Sequence, residues 1–310
     1  MNQQIRFINK GTLTSVQGFQ AGATFAGMKT YAEDKLDIGI IYSKLPCVSG
    51  GVFTTNRIKS PSIVLTQEHV RLGAVRVVAA NSGIANTSVG EQGMTDAEEV
   101  VRLVAAQMDV PEAEVAFLST GIIGVELPMA LIRVALPKIQ ISPSGGNAFA
   151  RAIMTTDTRP KEAAVAYSFG GRTVTIGGVA KGSGMIHPDM ATMLSVLATD
   201  ASVEASFLQR AIKQAADRSF NMVSVDGDTS TNDTCMIMAN GAAGGAPIQE
   251  GSQEAALFQE AVTQLSIHLA KEIVRDGEGA SKLFEVIVEG ARNEKEARMA
   301  ARTIASSNLV

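Results

Sequence analysis

The chain has 310 residues, 45 % of them hydrophobic and 19 % charged, with a formal net charge of −4. That balance describes a globular protein with a substantial core. It argues against a polyanion-binding surface, and no Lys/Arg cluster suits nucleic acid. Length alone leaves one large α/β unit and two smaller ones both open.

The N-terminus, MNQQIRFINKG, lacks the apolar region of a signal peptide, and no apolar run reaches membrane-spanning length. A cytoplasmic protein without membrane association is expected. Cys47 and Cys235 stand far apart in no metal-like spacing, which fits two buried thiols in a reducing compartment. His69, His187 and His268 form no zinc-binding pair, so no metal site is expected.

In chain order, strands are expected at Leu36–Tyr42, Val75–Ala80, Val115–Ser119, Ala163–Ser168, Thr173–Val179, Thr192–Leu197, Thr234–Ala239 and Leu283–Glu289. Helical patterns lie between them. Thr95 and Glu98 have capping-box spacing ahead of an apolar stripe from Val100 to Met108. Val203, Phe207, Leu208, Ala211, Ile212 and Ala215 mark a second face, and Phe258, Val262, Leu265 and Leu269 a third. The alternation implies stacked sheets flanked by helices. Turn-rich Gly145–Gly146 and Gly241–Ala246 do not separate regions of different composition.

The most informative stretch is KGSGMIHPDMATML, residues 181–194. A flexible Gly-containing run delivers Ala191 and then Thr192 into an apolar segment, with no triad partner to activate the hydroxyl. Cutting the chain before Thr192 would free an α-amine to serve as its base. Such an amine has an unperturbed pKa of about 7.7–8.0, suited to proton exchange near neutrality. Self-cleavage requires the Thr192 hydroxyl to attack the Ala191 carbonyl, and alanine keeps that carbonyl uncrowded. Gly182 and Gly184 permit backbone geometries that other residues resist. The products would be residues 1–191 and 192–310, held in one folded body.

Acyl chemistry also needs donors for an oxyanion. Thr120 and Gly121, at the end of the apolar run FLSTGIIG, offer a hydroxyl and an approachable N–H. The same residues also suit an ordinary strand-to-loop turn. Thr155, within TTDT, and the cluster DGDTSTNDT at 226–234 fit either a polar pocket or Asx and Ser/Thr turns. The second cluster lacks the glycine and terminal glutamate of a calcium loop. Lys181 is an anion clamp or a solvated charge, and Glu278 a ligand carboxylate or a loop side chain.

Seven segments in order resemble the ornithine acetyltransferase family, also called glutamate N-acetyltransferases. They are GVFTTNR (51–57), NSGIAN (81–86), STGIIG (119–124), TTDT (155–158), KGSGMIHPDMATML (181–194), VDGDTSTNDT (225–234) and RDGEGASK (275–282). The resemblance implies a self-processing enzyme that moves acetyl from N-acetylornithine to glutamate through an acetyl-threonine, recycling acetyl in arginine biosynthesis. It implies a layered α/β/β/α sandwich with mixed central sheets. Thr192 is then nucleophile and new N-terminus, cleaved from Ala191, and Thr120 and Gly121 form the oxyanion hole. Thr155, Lys181, Thr192 and Glu278 contact substrate. No bound cofactor is implied, although some members accept acetyl-CoA as a substrate. The cleaved fragments associate, with a heterotetramer expected.

Family members continue past the equivalent of ARTIASSNLV with a D-P-N-W-G-R stretch, whereas this sequence contains no tryptophan. A shortened C-terminal fragment is therefore expected. Two alternatives stand beside the transferase: an amidohydrolase or aminopeptidase using the same threonine, and an inactive shortened relative.

Overall fold

The structure, a computed structural model, describes residues 5–29, 35–187, 193–307 and 309. Ten strands run β1 (Arg6–Phe7), β2 (Phe19–Thr24), β3 (Ile38–Ser43), β4 (Val48–Phe53), β5 (Val77–Asn81), β6 (Val115–Ser119), β7 (Lys161–Phe169), β8 (Arg172–Lys181), β9 (Leu194–Thr199) and β10 (Thr234–Ala239) among the described residues. The α-helices are α1 (Pro61–Leu72), α2 (Gln92–Met108), α3 (Met129–Ala135), α4 (Gly146–Ala152), α5 (Ala205–Arg218), α6 (Ala255–Arg275) and α7 (Glu294–Ala305).

Two mixed sheets result. The larger has the order β1-β7-β8-β9-β10-β4 and the smaller β2-β3-β5-β6. β9 pairs antiparallel with β8 and parallel with β10, and β5 pairs parallel with β6. The tight β7–β8 turn uses Gly170 (φ 56°) and Gly171 (φ 79°), whose positive φ values suit a two-residue hairpin.

Period-two alternation sorts the side chains into layers. Leu194, Val196, Met236 and Met238 face Ile41, Val78, Ala80 and Leu118 of the smaller sheet, forming a core between the sheets. Val174, Ile176, Leu197, Cys235 and Ile237 point the other way, onto α5 and α6. Ile38, Ile40, Val77 and Phe117 pack against α2 and α3 on the outer face of the smaller sheet. The α/β/β/α sandwich is therefore present, with the expected stripes on α5 and α6 buried.

Three expectations need correction or extension. Leu283–Glu289 is not a strand: residues 281–289 run without ladder partners, and Leu283, Phe284 and Ile287 are exposed. A β-prone sequence forms a strand only where a sheet edge receives it. The capping box at Thr95 does not form, because α2 already starts at Gln92 with Glu91 as its N-cap. Asn86 binds the Gly93 carbonyl at 2.8 Å through its amide, tying this earlier turn to the preceding loop. β2 and β4 were not anticipated, since FQAGAT and VSGGVF are diluted by Gly and Ala. Gly22 earns its place through close approach: a Cβ there would run into the Gln140 carbonyl.

Candidate active site

One cavity of about 930 Å³ opens where the C-terminal ends of β6 and β8 meet loops from both sheets. Its wall contains Thr120, Gly121, Thr155, Lys181 and Glu278, so these five sequence candidates converge on one space. Ala191 and Thr192 lie outside the described residues. The residues after them are placed: Leu194 pairs with Lys181 across β8–β9, and the Met193 amide donates to Asp233 Oδ1 at 2.8 Å. The start of β9 therefore abuts the lysine that lines the cavity.

Thr120 ends the β6 run and its own amide is engaged, donating to the Asn81 carbonyl at 3.1 Å. Its contribution to the cavity is the hydroxyl, which lies 3.3 Å from Lys181 Nζ. With the oxygen accepting from the ammonium, the hydroxyl hydrogen remains available to another acceptor. Gly121 adopts φ +133°, and a Cβ there would strike the Gly83 backbone. Only glycine fits this crossing of the STGIIG and NSGIAN loops, which is sealed by Ile122 N–H to Gly83 O at 3.0 Å. Asn232 secures the arrangement from a third loop, its amide donating to the Ser119 carbonyl at 2.9 Å and its oxygen accepting from Thr87 at 2.6 Å.

Lys181 is buried at the end of β8. Burial depresses its pKa from the ordinary lysine value, and the charge of Asp157 opposes that loss. Lys29, also in the wall, is brought down to about 8, chiefly by burial, with Asp37 and Asp157 resisting. Its ammonium already donates to the Leu36 carbonyl at 2.8 Å and the Ala152 carbonyl at 3.2 Å. Glu278 lies on the exposed rim, its amide donating to the Ser183 carbonyl at 2.7 Å. Gly184 makes room for it, because a Cβ there would collide with the Glu278 carboxylate. Cations in the floor and a carboxylate at the rim match a ligand carrying both charges.

Sequence reasoning missed the support beneath these side chains. Lys161 is fully buried, with Asp157 and Asp276 each 2.6 Å from its ammonium. Asp157 and Asp276 sit inside TTDT and RDGEGASK. For Lys161 the available signal was a Lys-Glu pair opening the largely apolar run KEAAVAYSF.

Comparison with known proteins places this architecture. The chain is 49 % identical over 302 residues to the arginine biosynthesis bifunctional protein ArgJ of Symbiobacterium thermophilum, covering 97 % of this chain and 75 % of that protein. The crystal structure of the Bacillus halodurans arginine biosynthesis bifunctional protein ArgJ matches at TM-score 0.58 and 36 % identity, over 62 % of this chain and 100 % of the solved one. An ornithine acetyltransferase from Mycobacterium tuberculosis, solved in complex with ornithine, matches at TM-score 0.54 and 32 % identity, over 60 % and 98 % of the two chains. The profile of the ArgJ family spans residues 20–310, and with it this chain belongs to the ArgJ family.

Proposed function

We propose that the protein is a self-cleaving acetyltransferase that carries acetyl from N-acetylornithine to glutamate through an acetyl ester on Thr192. The observation that carries this reading is the meeting of Thr120, Gly121, Thr155, Lys181 and Glu278, from four separate segments, in one cavity beside the start of β9. Family membership and the ornithine-bound relative support the substrate class.

In this scheme the freed α-amine of Thr192 takes the proton of its own hydroxyl, and the oxygen attacks the acetamide carbon of acetylornithine. The Thr120 hydroxyl and the Gly121 N–H stabilise the oxyanion. The C–N bond breaks, the proton passes to the departing ornithine nitrogen, and the ester remains on Thr192. Glutamate's amine then attacks that ester, and the steps reverse. Lys181 binds a substrate carboxylate, Thr155 lies beside it in the wall, and Glu278 takes the ornithine side-chain ammonium. Donor and acceptor share an α-carboxylate next to the reacting nitrogen, so one pocket serves both. No bound cofactor is needed; acetyl-CoA would enter only as another acyl donor.

Intact mass under denaturing conditions should resolve two fragments, one ending at Ala191 and one beginning at Thr192. Thr192→Ala should yield one uncut chain without transfer activity, and surviving transfer would remove Thr192 from the mechanism. Free acetate released from acetylornithine regardless of glutamate would instead favour the hydrolase.

A further inference from the structure

Asp157 lines the cavity, yet none of the steps above uses it. Its Oδ2 accepts from the Thr155 amide at 3.0 Å, and its Oδ1 from the Gly182 amide at 2.8 Å and Lys161 at 2.6 Å. The two amides belong to a proposed substrate contact, Thr155, and to the residue following another, Lys181. Beyond Lys161, Asp276 accepts from the Thr158 amide at 3.0 Å and from the Thr158 hydroxyl, two residues before Glu278. A buried chain of alternating charge thus joins the three loops that present Thr155, Lys181 and Glu278.

The electrostatics single out Asp157. The ammonium of Lys181 is buried against a neutral hydroxyl, that of Thr120. The charged groups acting on it are Asp157, Asp233, Lys161 and Lys29, while Glu278, Asp228, Lys35 and Arg151 line the same cavity. Asp233 attracts the ammonium less than Asp157 does, and burial lifts its own carboxyl well above the ordinary range, which weakens it further as a counter-charge. Lys161 and Lys29 repel the ammonium. Burial alone would raise the Asp157 carboxyl too, but Lys181 and Lys161 outweigh it and hold the group ionised.

We propose that Asp157 is the positioning residue of this site. Gripping the amides of Thr155 and Gly182, it keeps Lys181 charged and aimed into the cavity, so that recognition of the substrate carboxylate depends on a side chain behind the one that binds it. This rests on the reading that Lys181 meets that carboxylate.

The test is the pH dependence of KM and kcat for acetylornithine in the self-cleaved wild type and in Asp157→Asn, Asp157→Glu and Lys181→Met. Asp157→Asn should raise KM roughly tenfold or more, the cost of weakening one charge-assisted contact. Its KM should begin to climb with pH at a lower pH than in wild type, because the uncompensated ammonium gives up its proton sooner. Asp157→Glu should restore the wild-type midpoint even with a poorer KM. An unchanged midpoint in Asp157→Asn, or a fall in kcat alone, would overturn the proposal. If Lys181→Met leaves KM intact, the carboxylate role of Lys181 fails and the proposal falls with it. A measurement on wild type guards against misfolding of Asp157→Asn: lysine side-chain NMR should find the Lys181 resonance, assigned by its loss in Lys181→Met, as an ammonium at pH 7. A neutral amine there would refute the proposal.

Discussion

Thr120 and Gly121 line the same cavity, and their substitutions should fail differently. Thr120→Val keeps the shape and removes the hydroxyl, so kcat should fall roughly 10²–10³-fold, the usual effect of one lost oxyanion donor, with folding intact. Steady-state kinetics beside a denaturation curve would check this. Gly121→Ala combines a φ of +133° with a collision against the Gly83 backbone. It should cost roughly 2–4 kcal/mol of stability in addition to activity, read from urea midpoints. The sequence alone could flag the Ser-Thr-Gly end of an apolar run, but its meeting with Lys181 and the Gly83 backbone depends on partners distant in the chain. Lys181 and Glu278 were readable as motif members. Their mutual placement came from the Ser183 carbonyl that holds the Glu278 amide and from Gly184, which leaves it room.

Among the elements, the entrance to β7 carries the largest electrostatic stake. Lys161→Met would leave Asp157 and Asp276 buried without their shared cation, and about 3–5 kcal/mol of destabilisation is expected by chemical denaturation. Acid should act on the same bridge. For Asp276, as for Asp157, burial alone would raise the carboxyl, but Lys161 and the Thr158 donors hold it below its usual value. A depressed folded-state pKa contributes stability that is present above the unfolded value of about 3.9 and is lost as pH falls through the folded one. Melting temperature should thus drop below about pH 4 in wild type and respond less in Lys161→Met. The strands β3 and β5 to β10 were legible because buried strands read as continuous β-branched and aliphatic runs. β2 and β4 escaped because close packing demanded glycines where a sequence pattern expects bulk. Leu283–Glu289 misled for the opposite reason: LFEVIVE has the chemistry of a strand, whereas pairing is decided by what lies alongside it.

At the scale of the whole molecule, the layered arrangement followed from alternating strand and helix patterns, but the order β1-β7-β8-β9-β10-β4 did not. That order matters for maturation. β9 pairs over six positions with β8, which precedes the proposed cut, and over six with β10, which follows it. The Leu194, Val196, Met236 and Met238 side chains are sealed between the sheets. After cleavage the fragments should remain one particle, co-migrating in size-exclusion chromatography and separating only in denaturant. Native mass spectrometry should find both in equal numbers, two of each if the expected heterotetramer forms. Either fragment dissociating under mild conditions would contradict this.

The central seat of β9 also bears on how such a protein can be inherited. Among the described residues, β9 is held to β8 and β10 by ladders that begin at Leu194, so two separate genes could in principle encode the halves. Co-translated halves, the second trimmed of its initiator methionine to expose threonine, should then assemble by complementation into a competent enzyme that never had to cut itself.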